Sequence, residues 1–118
     1  MKPDIKERWV DALLSGDYTQ GKGRLQRDGS FCCMGVLCDL YSKETGTPWV
    51  LSEGSLSIHG ASGCLPLQVR VWGALDWVTV GRNPGLVTRN GKLEPMSYLN
   101  DSEGMSFSEL GLLIQEQL

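Results

Sequence analysis

Cys32, Cys33, Cys38 and Cys64, with the single histidine His59, are the side chains of this chain best suited to metal or nucleophilic chemistry. Thiolate and imidazole are preferred zinc ligands, but zinc modules place paired ligands about two to four residues apart so that both converge from one turn. Cys33 and Cys38 are five positions apart, which on a helix separates them by roughly 140° around the axis. That spacing favours thiols acting as small buried hydrophobes, with a small zinc-binding protein as an alternative. A nucleophilic cysteine needs a nearby base and some exposure. His59 sits in a stretch rich in glycine and serine, expected to be solvated rather than paired, and the acidic residues form no convincing catalytic pair. No catalytic residue and no cofactor are therefore expected, and Cys32 and Cys33, being adjacent, are expected to stay reduced.

Two polar segments offer binding chemistry instead. In YTQGKGRLQR, residues 18–27, Gly21 and Gly23 let backbone N–H groups approach an anion, and Lys22, Arg24 and Arg27 supply positive charge. The Gly-Lys-Ser/Thr ending of a phosphate loop is absent, so the competing reading is a solvated basic turn. In YLNDSEG, residues 98–104, Asn100 and Asp101 either brace a turn or read ribose hydroxyls and base edges. Trp49 and Trp77 stand at segment ends beside polar residues, where an indole stacks on a ligand or partner. The candidate ligand-binding set is Gln20, Lys22, Arg24, Trp77, Asn100 and Asp101. Asp39, a charge inside the apolar run FCCMGVLCDLY, is read as a salt-bridged or hydrogen-bonded brace.

These residues need a scaffold, and 118 residues make one domain, 1–118, with a core of its own. A net charge of −3 argues against general binding to a nucleic-acid backbone. No run approaches a membrane span, and no signal-peptide pattern follows Met1, so a cytoplasmic location is expected.

The expected fold class is α+β. Four helices are predicted, around 3–15, 32–44, 66–75 and 106–118, with short hairpins around 24–32 and 86–94. Pro3 and Asp4 open the first helix, Ile5, Trp9, Ala12 and Leu13 share a face, and Gly16 stops it. The second helix carries apolar side chains in every direction and must be buried, with Gly35 marking a close approach by another element and Gly46 its end. Asp28-Gly29 and Asn90-Gly91 suit tight hairpin turns. Residues 47–64 are patternless and read as a long loop or irregular hairpin. Ser106 and Glu109 have capping-box spacing, and Met105 and Leu110 that of a hydrophobic staple.

The combination of FCCMGVLCDLY, LPLQVRVWGAL and LND followed by SFSELGLLIQEQL resembles a group of small uncharacterised proteins from bacteriophages and bacteria. Gln20, Gly21, Gly23, Cys32, Cys33, Gly35 to Leu40, Pro66, Trp72, Asn100 and Asp101 carry the resemblance, which spans nearly the whole chain. It implies a setting rather than a reaction. Small accessory phage proteins include sponges that sequester nucleotide immune signals and proteins that bind and inhibit a host enzyme. The leading expectation is a non-enzymatic counter-defence protein that binds a small anionic nucleotide-like ligand, with Lys22 and Arg24 on phosphate, Asn100 and Asp101 on sugar or base, and Trp77 stacking. A homo-oligomer is expected, to deepen the pocket. The alternative is an interaction module that inhibits a host enzyme.

Overall fold

In the computed structural model, which describes residues 1–75, 86–89 and 92–118, the buried run is the hub of the molecule. It forms α2 (Cys33–Thr45), whose residues Cys33 to Cys38 and Tyr41 are all buried. Three helices pack against it, α1 (Pro3–Ser15), α3 (Leu67–Gly73) and α4 (Met96–Asp101), while α5 (Phe107–Gln117) packs on α1 and α4. Trp9 of α1 is fully buried and donates its indole N–H to the Cys33 carbonyl at 3.0 Å. α1 also packs along α5, which presents Phe107, Leu110 and Ile114 to the core. α5 begins with the expected capping box, Ser106 and Glu109 bonding each other's backbone N–H.

Opposite these helices lies a five-stranded mixed sheet made of very short strands: β1 (Thr19–Gln20), β2 (Gln26–Arg27), β3 (Ser30–Phe31), β4 (Val50–Ser52) and β5 (Ser55–Ser57). Its order is β1-β3-β2-β5-β4, with β1 and β3 parallel and the remaining pairs antiparallel. The fold is α+β, as the sequence implies. A separate hairpin pairs β6 (Leu86–Arg89) with β7 (Lys92–Pro95), while its expected turn, Asn90-Gly91, lies outside the described residues.

Three tight turns share one design. Asp28-Gly29, Glu53-Gly54 and His59-Gly60 each have both φ values positive, between 50° and 82°. That is the mirror-image geometry whose twist matches the flanking strands. Glu53-Gly54 closes β4 onto β5, so residues 47–64 do contain a hairpin. Among the described residues there are five helices where four are predicted. The additional one, α4, buries Met96, Leu99 and Asn100; at six residues it is too short to show a helical period in sequence.

Gly35 is the contact point between α2 and the segment entering β2. A Cβ built on it would lie 1.7 Å from the Leu25 carbonyl oxygen. Leu25 is itself fully buried, and its N–H is bonded to the Ser62 carbonyl at 2.7 Å. This junction fixes the C-terminal end of the segment that carries Lys22 and Arg24.

Candidate functional site

Lys22, Gly23 and Arg24 form an exposed bridge between two anchored ends, Gly21 and Leu25. At Gly21 the N–H donates to the Phe31 carbonyl at 2.7 Å, continuing the β1–β3 pairing. A Cβ there would come within 2.8 Å of Ser30 Cβ, so the close approach requires glycine. The result is a shallow recess of about 240 Å³ lined by Gly21, Lys22, Arg24, Arg27, Asp28 and Ser30. Arg27 stands 3.8 Å from Asp28, a loose contact between two exposed side chains that holds neither firmly. Among the described residues, Lys22 and Arg24 form no ion pair. The recess therefore has three cations and one carboxylate around a backbone floor, an arrangement that can hold a phosphate-sized anion.

Behind that floor is a polar brace. Gln20 Nε2 donates to Asn100 Oδ1 at 2.8 Å and to the Met105 carbonyl at 2.7 Å. Its Oε1 accepts from Phe107 N–H at 3.1 Å, satisfying a donor at the start of α5 that has no partner within the helix. Asn100 Nδ2 in turn donates to the Gly21 carbonyl at 2.9 Å and to Asp101 Oδ1 at 2.8 Å. Asn100 has no exposed surface, and both amide groups are committed inside the protein. Of the expected ligand contacts, Gln20, Asn100 and Asp101 thus come together, but Asn100 holds the Gly21 carbonyl from the inside and Gln20 holds Asn100, and neither lines the recess. Trp77 lies outside the described residues.

Asp39 is braced as its sequence context suggests. Its Oδ2 accepts from the Tyr18 hydroxyl at 2.6 Å and pairs with Lys43 Nζ at 3.1 Å, while Oδ1 accepts from Trp49 Nε1 at 3.1 Å. Burial and the hydrogen bond to Asp39 raise the Tyr18 hydroxyl above its ordinary pKa. The Trp49 indole is occupied here, in edge contact with Phe31, which also meets Tyr18 edge-on.

The cysteines sit in contrasting surroundings. Cys32 caps α2, its sulfur accepting from Gly35 N–H at 3.4 Å, and burial pushes its thiol pKa up. Burial also raises Cys33 and Cys38, while Cys64 is exposed. Among the described residues no three His, Cys, Asp or Glu side chains are placed to hold a metal ion. His59 is exposed but paired, its Nε2 lying 2.8 Å from the Tyr41 hydroxyl. A thiolate, not a thiol, is the reactive species. In a thiol titration of the native protein at neutral pH, Cys64 is expected to react quickly and the other three only after denaturant is added. Rapid reaction of two or more thiols in the native protein would contradict the burial described here.

Among the described residues no helix is long and apolar enough to cross a membrane. Over residues 1–118 the chain matches the family described as Domain of unknown function (DUF8296), and it belongs to that family. No curated protein and no solved structure matches it.

Proposed function

We propose, since membership of that family brings no activity with it, that the chain is a non-enzymatic accessory protein of phage type that sequesters a small anionic nucleotide-like ligand, as a counter-defence sponge does. One observation carries this reading: Lys22, Arg24 and Arg27 surround a recess whose backbone floor is held from behind by Asn100. Such a floor is preorganised, so an arriving phosphate meets cations without ordering the backbone first. Lys22 and Arg24 contact the phosphate in this reading, Gln20 and Asn100 position Gly21, and Asp101 and Trp77 are left for sugar and base. A recess this shallow covers little more than one phosphate group, so a second copy of the chain is expected to cover the rest of the ligand.

Calorimetric titration with cyclic dinucleotides and ADP-ribose tests the reading. The Lys22→Ala/Arg24→Ala variant is expected to bind about tenfold more weakly or worse, with little change in melting temperature because both side chains are exposed. Absence of binding by the unmodified chain, or equal binding by the variant, overturns it.

A second reading, a module that binds and inhibits a host enzyme, is favoured by the other end of the sheet. There β4 is an edge strand with Val50 54% and Leu51 72% exposed. Free main-chain groups beside apolar side chains suit strand addition by a partner. Under this reading, an enzyme retained from host lysate is released by Leu51→Lys and unaffected by Lys22→Ala/Arg24→Ala.

A further inference from the structure

A second recess, of about 550 Å³, opens between the C-terminal part of α1 and the middle of α2. It is distinct in charge from the first. Ala12, Tyr18, Phe31 and Leu40 give it apolar and aromatic walls, and Asp11, Asp17 and Asp39 bring carboxylates to it, against a single cation, Lys43.

Asp39 is the fixed point. Its side chain is only 13% exposed, and the Tyr18 hydroxyl and Trp49 indole hold both carboxylate oxygens in place. Lys43 supplies an ammonium to this arrangement. Its Nζ is 3.1 Å from Asp39 Oδ2, 3.3 Å from the Tyr18 hydroxyl oxygen and 5.5 Å from the centre of the Tyr18 ring. A semi-buried carboxylate, a phenol oxygen and an aromatic ring around one point are the recognition chemistry of an ammonium group.

The resident ammonium is carried on an exposed side chain. Lys43 lies in the last turn of α2 with its side chain 70% exposed, and Ala12 and Leu40 on the walls beside it are only partly buried. Holding that long chain in one rotamer also costs entropy. A ligand bringing its own ammonium together with an aliphatic body would satisfy Asp39 equally well and would cover the exposed parts of Ala12 and Leu40 besides. Asp11 and Asp17 are exposed and, among the described residues, form no ion pair, so a second cationic group on the ligand would find partners there.

We propose that this recess is a binding site for an aliphatic diamine or polyamine, and that Lys43 is its built-in competitor, displaced when the ligand enters. The proposal is independent of the anion recess.

Calorimetry on the full chain, with spermidine and butylamine as probes, tests it. Spermidine is expected to bind about tenfold more tightly than butylamine, which lacks the groups for Asp11 and Asp17. Lys43→Met is expected to raise spermidine affinity about fivefold by removing the competitor. Lys2→Met removes the same charge elsewhere and is expected to change affinity by less than about twofold. Asp39→Asn is expected to abolish binding, with a thermal melt confirming that the variant is folded. Lys43→Met alters an exposed side chain, so it remains informative even if Asp39→Asn fails to fold. Spermidine binding that Lys43→Met strengthens no more than Lys2→Met does, or no binding by either the unmodified chain or Lys43→Met, overturns the proposal.

Discussion

Gly35→Ala is expected to destabilise the domain by about 3 kcal/mol or more, a large share of the stability of a chain this size. The added methyl would sit 1.7 Å from the Leu25 carbonyl oxygen, 2.6 Å from its carbonyl carbon and 3.0 Å from its Cα. All three are backbone atoms, so no rotamer change relieves the clash. Nor can Leu25 easily withdraw. Its side chain is fully buried, its N–H is bonded to Ser62, and the next residue, Gln26, pairs with Phe31 and Leu56 on neighbouring strands. Either α2 moves off the sheet or the sheet loses its pairing.

Gly111 in α5 provides the control. There the nearest atom to a built Cβ is Leu14 Cδ2 at 3.3 Å, the tip of a side chain that is 44% exposed and free to give way. Alanine also gains about 1 kcal/mol over glycine in a helix interior. Gly111→Ala is therefore expected to be neutral or slightly stabilising. Urea denaturation of both variants decides the matter: similar losses would show that the α2–Leu25 contact is not the cause.

Gly35 also illustrates what a single sequence reveals. A lone glycine within an apolar run calls for a close neighbour, and the run itself marks the core. The two ends of α1 and the capping box of α5 are equally legible, because caps and turns depend on residues only a few positions apart. The partner of Gly35 is not legible, since nothing local connects it to Leu25. The same limit applies to α4, whose six residues span too few turns for a period to show, and to the Glu53-Gly54 turn, whose glutamate lacks the local hydrogen bonding that makes Asn-Gly and Asp-Gly recognisable.

The candidate site divides in the same way. Lys22 and Arg24 can be found because charge and glycine are concentrated in one segment. The lone charge of Asp39 signals a brace, but its partners Tyr18 and Trp49 lie 21 and 10 residues away. Gln20 and Asn100 are separated by 80 residues. Each has the chemistry of a ligand contact, and only the fold shows that each is already engaged by the other. Their position then changes what they do for the site: they shape the backbone under the cations.

That role gives Asn100 the second large expected effect. Asn100→Ala is expected to cost about 2–4 kcal/mol, because it leaves the Gly21 carbonyl and one Gln20 amide hydrogen without their partners in a closed interior. Asn100→Asp preserves size and still offers Gln20 an acceptor, but it replaces the donor facing Gly21 and Asp101 with an oxygen. Ionised, that oxygen meets a carbonyl and a second carboxylate; protonated, it can donate to one of them. Burial and the Asp101 carboxylate would therefore hold the introduced carboxyl above the ordinary carboxylate range in the folded state. With the folded pKa above the unfolded one, the penalty is smallest below the unfolded value, near pH 4, and grows as pH rises through it towards the folded value. Urea denaturation at about pH 4 and pH 7 should thus show a roughly constant deficit for Asn100→Ala and a widening one for Asn100→Asp, by about 2 kcal/mol or more. An Asn100→Asp deficit that does not widen would mean that the side chain reaches water, and would return Asn100 to the surface of the recess as a direct ligand contact.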